Sequence, residues 1–291
     1  MAKNNLPKLV IFSDPKKGYV TGVVDDFLDF ARSRAEVVAN CGIEQCTVGI
    51  LKEADFAVVF GGDGSITSAA RQLSQVNVPV IGVNLGKLGF LTEFSLPELK
   101  QFFPSLLSRQ LSIEKRIMLK CEIFANGSEK FSSTAINDVF ITAGPPFRMI
   151  ELKMSVDGHS AIDGLVSDGL IIATPTGSTA YNLSAAGPIL AANMQAMVIT
   201  PICPHSLSFR PVVISADSKV EVSGVSVNEG TTVSVDGQIS SPLLIGDVVK
   251  IERNKSDFLV VNNPLRTPWD TLAAKLSWAE KPKYKKSPIS Q

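Results

Sequence analysis

The chain has 291 residues, 45% of them apolar and 19% charged, with 28 basic and 28 acidic side chains. That length exceeds one ordinary compact domain and suits two. A formal charge of zero gives no general electrostatic pull towards nucleic acid or a membrane surface, so any anion site has to be local. No uncharged apolar run reaches the ~18 residues of a helical membrane span. The stretch from Met1 to Leu9 lacks the basic region, apolar core and small-residue cleavage site of a secretory signal, which makes the cytoplasm the expected compartment. Cys41, Cys46, Cys121 and Cys203 form no C-x-x-C pair and have no clustered histidine, so they are expected to be reduced and structural. Cys41 and Cys46 flank a turn and are the pair able to approach each other.

In chain order, 8–12, 56–60 and 78–83 are short continuous apolar runs that end in Gly, Asn, Ser or Asp, the pattern of parallel strands buried on both faces. Between the first two, Val24, Phe27, Leu28, Ala31, Ala35 and Val38 recur at helical steps, with Asn40 and Gly42 as a stop. Ile66, Ala69, Ala70 and Leu73 form a shorter helical face, and a third helix is predicted from Ser95, with Pro97 in its first turn. From about Ile113 the period changes to two. Strands are predicted at 118–124, 134–142, 150–156, 169–174, 196–202, 212–215, 219–223, 231–235, 248–252 and 258–261, separated by Asn-Gly and Asp-Gly turns. The fold class is therefore α/β + β, a doubly wound α/β unit over 1–112 followed by an antiparallel, sandwich-like unit over 113–265. The remainder, 266–291, is expected to hold a helix and a solvated lysine-rich tail that pack back on the first unit.

The segment Phe60-Gly61-Gly62-Asp63-Gly64-Ser65 lies between a buried strand and a helix, where α/β folds place phosphate. Glycines let backbone N–H groups reach phosphate oxygens, and the helix start adds partial positive charge. A carboxylate among them is costly beside another anion, so Asp63 calls for a use such as holding a metal or an incoming hydroxyl. Other phosphate signatures fail. Gly82-Val83-Asn84-Leu85-Gly86-Lys87 is one residue short of a P-loop and is followed by Leu88, and the dinucleotide G-x-G-x-x-G meets Thr67 at its third glycine.

Gly61-Gly62-Asp63-Gly64 by itself resembles a superfamily that includes NAD kinases, lipid kinases and phosphofructokinases. The run from Asp168-Gly169-Leu170 through Thr174-Pro175-Thr176-Gly177-Ser178-Thr179-Ala180-Tyr181 to Asn182-Leu183-Ser184-Ala185-Ala186-Gly187-Pro188-Ile189 closely resembles the NAD kinase signature. Further likeness lies in Gly82–Gly86 with Leu88-Gly89-Phe90-Leu91-Thr92, in Asn137-Asp138, in Cys203-Pro204-His205-Ser206-Leu207-Ser208 with Arg210-Pro211, and in Val235-Asp236-Gly237-Gln238. Together these matches cover 56–240 in family order.

The resemblance implies an enzyme that moves the terminal phosphoryl group of ATP to the 2′-hydroxyl of the adenosine ribose of NAD, giving NADP and ADP. It implies Asp63 as the catalytic residue within a nucleotide-binding loop of Gly61, Gly62, Gly64 and Ser65. Asn137 and Asp138 would hold the ribose and adenine side of NAD, and Asp168 would reach its nicotinamide half. Thr179, Ala180, Tyr181 and Ser184 would line the adenosine pocket. Magnesium or another divalent metal should accompany ATP, bound mostly through phosphates and water, and the sequence names no ligands for it. A homo-oligomer, dimer or tetramer, is expected, with neither nucleic acid nor membrane as partner. The chain departs from the family pattern at Asp138, where Glu is commoner, at Ser65, where Thr is commoner, and at Phe209, where a polar residue is usual; His205 suits a site or a structural role equally. Two rival readings are a sugar-phosphate or lipid kinase, which leaves 168–189 unexplained, and a dinucleotide-binding regulator without turnover, which leaves Asp63 without a use.

Overall fold

A computed structural model describes residues 6–14, 18–42, 45–86 and 88–279. The first layer is built from β1 (Lys8–Ser13), α1 (Gly18–Ala31), β2 (Glu36–Gly42), α2 (Val48–Glu53), β3 (Phe56–Gly61), α3 (Asp63–Leu73), β4 (Val80–Asn84), α4 (Leu96–Leu107) and β5 (Ile113–Arg116). Then come β6 (Leu119–Ala125), β7 (Ser128–Ala135), β8 (Asp138–Thr142), β9 (Ile150–Val156), β10 (His159–Ser167), β11 (Gly169–Ala173), the short α5 (Tyr181–Ser184), β12 (Ala196–Ile202) and β13 (Val212–Ser215). The chain closes with β14 (Val220–Ser226), β15 (Thr232–Val235), β16 (Ile239–Pro242), β17 (Val248–Arg253), β18 (Phe258–Val261) and α6 (Pro268–Leu276).

The first sheet runs β2-β1-β3-β4-β18-β5, parallel except for β5. Its strands read as unbroken apolar runs because both faces are covered. Leu9, Ile11 and Val58 pack against Val24 and Phe27 of α1 and Leu99 and Phe103 of α4. Val10, Phe12, Ala57 and Val59 pack against Leu51 of α2 and Ile66, Ala70 and Leu73 of α3. Ser95 and Glu98 form a capping box that starts α4, as Thr267 and Asp270 do for α6.

Three expectations are corrected here. The helix predicted through Val38 ends at Ala31, and the following residues form the edge strand β2. Val37 joins the core on the α1 side and Val38 the core on the α2 side, which is the alternation of a strand and not the single face of a helix. Cys41 and Cys46 are joined by a disulfide, with Cα atoms 5.7 Å apart, because the Gln45 N–H closes a turn onto the Gly42 carbonyl at 3.0 Å and brings the head of α2 back to the end of β2. Finally, β5 and β18 belong to the first sheet, although both fall within 113–265. Phe258 and Val260 fill the α2/α3 side of that sheet and Val261 the other side, so the chain leaves the first sheet after Arg116 and re-enters it at Phe258.

The second half forms two antiparallel six-stranded sheets, β10-β9-β14-β17-β6-β7 and β13-β12-β11-β8-β15-β16. Alternate residues from both, among them Cys121, Leu152, Val222 and Ile251 on one side and Val139, Ile141, Ile172 and Ile199 on the other, meet in a single core, as in a sandwich. The sandwich strands that periodicity missed, β10, β16 and β7 up to Ser133, lie at sheet edges and carry few buried side chains. The predicted strand over 134–142 is two strands. It breaks at Ile136-Asn137, with Ile136 buried in the first-layer core beneath α3 and Val139 buried in the sandwich core. Asn137 and Asp138 therefore stand on the seam between the two layers.

Candidate active site

Asp63 is the first residue of α3, immediately after the end of β3 at Gly61. Its carboxylate is held by the segment that follows β4. Oδ2 accepts the N–H of Phe90 at 2.8 Å, and Oδ1 accepts the N–H groups of Leu91 at 3.0 Å and Thr92 at 3.2 Å together with the Thr92 hydroxyl at 3.3 Å. A Cβ on Gly89 would lie 2.0 Å from Asp63 Oδ1, so only glycine lets this loop close over the carboxylate. The loop is anchored from outside. Arg266 donates to the Glu93 carbonyl and to both Glu98 carboxylate oxygens, and Lys275 of α6 stands over the Phe90 ring. Oδ1 thus meets three donors and Oδ2 one among the described residues, which leaves Oδ2 with capacity to accept a further hydroxyl. Ser65 folds back over Gly61, where a Cβ would meet its Oγ at 2.2 Å.

Asp138 is 3% exposed, and its Oδ2 has no hydrogen-bond partner among the described residues. Burial, and then the neighbouring Asp236 charge, push its carboxyl up to about 7, with the Tyr181 backbone N–H opposing. Asp236 is itself pushed up to about 6 by burial, opposed by the N–H groups of Asn137, Ile136 and Asp138 and by Arg71. Those bonds measure 2.8 Å from Asn137 and 3.2 Å from Asp138 to Oδ1, and 3.1 Å from Ile136 to Oδ2. The Asn137 side-chain amide has no hydrogen bond to the described residues, while its carbonyl accepts the Thr174 N–H at 2.8 Å and would lie 2.0 Å from a Cβ on Gly177.

The segment 174–190 is a rigid polar loop, not a solvated one. Asn182, fully buried, donates to the Ser178 and Pro188 carbonyls, both at 3.0 Å, and accepts the Thr200 hydroxyl at 2.6 Å. The Ser178 hydroxyl bonds Pro175 and Leu190, and Thr174 bonds the Ile136 carbonyl. This scaffold presents Thr179 and Ala180, half-buried, and Tyr181 and Ser184, exposed, at the head and tail of α5. The Tyr181 ring meets Phe140 edge-on at 5.0 Å. Burial, followed by Cys203, Asp138 and Asp168, raises the Tyr181 phenol, so all three acidic groups lie within electrostatic reach of it. Asp168 is exposed at the β10–β11 turn. His205 is exposed and engaged through its backbone N–H with Val166, whereas Phe209 packs on the sandwich core, which accounts for an apolar residue there.

Two residues that the motifs contain without a role join the halves of this site. Gln238, just past the Asp236-Gly237 turn, donates to the Gly64 carbonyl at 2.9 Å and the Thr67 hydroxyl at 2.6 Å, and accepts from Ser68 at 2.8 Å and from Arg71. Asp236, on the other side of the turn, grips 136–138. One hairpin corner thus ties the start of α3 to the Asn137-Asp138 dipeptide. The visible signal in the sequence was an Asp-Gly turn; its partners lie up to 174 residues away.

Comparison with known proteins identifies the family and the fold. Residues 42–111 match the ATP-NAD kinase N-terminal domain, and residues 136–263 match the ATP-NAD kinase C-terminal domain. The NAD kinase of Rhodopirellula baltica is 38% identical over 273 residues, covering 94% of this chain and 87% of the relative. The NAD kinase of Geobacter sulfurreducens is 38% identical over 288 residues, covering 95% of this chain and all of the relative. Among solved structures, yeast NADH kinase complexed with NADH superposes with a TM-score of 0.87 at 26% identity, over 98% of this chain and 91% of that one. An NAD kinase from Archaeoglobus fulgidus in complex with ATP gives 0.72 at 26% identity, over 89% and 94%. The chain belongs to the ATP-NAD kinase family of phosphotransferases.

Proposed function

We propose that the chain transfers the terminal phosphoryl group of ATP to the 2′-hydroxyl of the adenosine ribose of NAD, forming NADP and ADP. The observation that carries this reading is the joining, through the 236–238 corner, of a carboxylate at a glycine loop and a polar surface at 137–138 and 174–184. Phosphoryl transfer asks the protein mainly for alignment and charge neutralisation. The Gly61-Gly62-Asp63-Gly64 turn, continuing into α3 at Ser65, offers backbone N–H groups and the positive end of a helix to phosphates.

Asp63 Oδ2 orients the acceptor hydroxyl and takes its proton late in the transfer; with four donors already on the carboxylate, it serves more as a fixed acceptor than as a strong base. The unpartnered Asp138 Oδ2 and the Asn137 amide receive ribose and adenine edges. Thr179, Ala180, Tyr181 and Ser184 flank the adenosine, and Asp168 faces the nicotinamide half. Magnesium would be carried mostly by the triphosphate and its water rather than by a dedicated protein cage. The metal, when bound, neutralises phosphate charge.

Two further features belong to the same reading. No described helix is long and apolar enough to cross a membrane, and we place the enzyme in the cytoplasm. We also place it in a homo-oligomer, since Val212 and Val213 are exposed on the edge strand β13; sedimentation of the purified chain tests this. NADP formation followed with ATP and NAD tests the activity itself. An NAD analogue lacking only the adenosine-ribose 2′-hydroxyl should bind without being phosphorylated, while one lacking the nicotinamide-ribose 2′-hydroxyl remains a substrate. Phosphate found on the first analogue by mass spectrometry would reject the assigned acceptor.

A further inference from the structure

We infer that Asp236, which touches no substrate atom in the proposed site, is a positioning residue for the acceptor half of the reaction: its carboxylate sets both the pose of Asn137-Asp138 and the charge state in which Asp138 meets the ribose. The inference rests on the NAD kinase reading.

Its geometric basis is the break between β7 and β8. At Ile136-Asn137 the chain passes from one core to the other, and the N–H groups of 136, 137 and 138 turn away from the strand ladder. Asp236 collects all three at 2.8–3.2 Å, and its own N–H returns to the Asp138 carbonyl at 2.9 Å. A charged acceptor taking three backbone donors is among the stronger restraints available to a loop. Asp236 and Gly237 both have positive φ, 52° and 64°, the two-residue hairpin corner that presents the Asp236 carboxylate on one side and the Gln238 amide on the other. All four hydrogen-bonding positions of that amide are taken by α3, through Gly64, Thr67, Ser68 and Arg71. The corner therefore fixes the distance between Asp63, at the head of α3, and the dipeptide that would hold the nucleoside.

Charge follows from the same placement. The groups facing Asp138 are Asp236 from the corner and, from α5, the Tyr181 backbone N–H and phenol; Asp168 and Cys203 act on that phenol from further out, and Arg71 of α3 acts on Asp236. Ribose hydroxyls donate hydrogen bonds, so the ionised form of Asp138 is the one that receives them. Burial opposes that form most, and repulsion from Asp236 adds to it, pushing the carboxyl up to about 7.

The test is steady-state kinetics of the full chain between pH 5.5 and 8.5, with NAD and ATP varied separately, for the wild type, Asp236→Asn and Asp236→Glu. Asp236→Asn should raise the NAD KM by about tenfold or more, the loss typical of a charged hydrogen-bonding group, and leave the ATP KM within about twofold. It should also move the acid limb of kcat/KM for NAD to lower pH, because the charge that opposes Asp138 ionisation is gone. A merely structural role would weaken both substrates together and leave that limb in place. Asp236→Glu retains the charge and displaces the three amides, so its NAD KM should rise while its acid limb stays at the wild-type pH; this variant decides the matter if Asp236→Asn does not fold. An NAD KM at the wild-type value in either folded variant, or an acid limb unmoved in Asp236→Asn, overturns the inference. A wild-type chain that forms no NADP overturns the kinase reading beneath it, and is told apart by needing no variant.

Discussion

A Cβ placed on Gly89 would stand 2.0 Å from Asp63 Oδ1 and 2.3 Å from the Thr92 hydroxyl, so the carboxylate and the loop that holds it occupy the space a side chain would need. Gly89→Ala should therefore displace Asp63 while leaving in place the groups proposed to hold the rest of the dinucleotide at 137–138 and 174–184. A misplacement of about an ångström lowers kcat by up to ~10²-fold. NAD affinity measured by calorimetry should stay close to that of the wild type. A Gly89→Ala enzyme with wild-type kcat would show that the position of the carboxylate is immaterial.

Asp63→Asn removes the charge and turns an N–H₂ group towards backbone donors that Asp63 now accepts. Turnover should fall by at least the ~10² lost with a positioned base. Stability should fall as well, by about 1–3 kcal/mol, because the amide oxygen can serve Leu91 and Thr92 but leaves the Phe90 N–H facing an N–H₂ group. Chemical denaturation alongside the kinetics separates the two effects. Normal stability with lost turnover would mean that the loop does not depend on this carboxylate.

Asp138 predicts a pH dependence of stability. Its carboxyl is raised in the folded chain from an ordinary 3.8 to about 7, so folding favours the protonated form. That contribution is complete below about pH 4 and is lost as pH rises through 7. Asp138→Asn, neutral throughout, should gain on the wild type by ~2–3 kcal/mol between pH 5 and pH 8 in urea denaturation without nucleotide. Parallel stability profiles for the two proteins would place the Asp138 carboxyl in water.

Asn137→Ala deletes a side-chain amide that has no protein partner among the described residues and leaves the backbone bonds to Asp236 and Thr174 in place. The fold should be nearly unaffected. The NAD KM should rise in proportion to a loss of roughly 1–3 kcal/mol, with little change for ATP. Equal increases for both substrates would point to a misplaced site.

Much of this chemistry was legible in the linear order of residues because it depends on local relations. Apolar runs of period one marked the buried parallel strands, period two marked the sandwich, and the Gly61-Gly62-Asp63-Gly64 turn declared itself by sitting between a strand and a helix. The long motif from Asp168 to Ile189 pointed to the surface proposed to hold the dinucleotide, and the rigid Asn182 scaffold gives a reason for its length.

Other relations depended on contacts between distant segments. Val38 fits a helical period as well as a strand, and only pairing with β1 and burial of Val37 and Val38 on opposite faces made this segment β2. Phe258 to Val261 reads as one more strand of the sandwich, yet its two apolar faces are used where the first sheet needs a strand beside β4. The grip of Phe90, Leu91 and Thr92 on Asp63, and the double reach of Asp236 and Gln238 across the seam, involve backbone donors and acceptors, which every residue carries and no sequence pattern marks. Side-chain type reveals which groups are available; only the packing of the two layers brings a carboxylate within 3 Å of the amides that it serves.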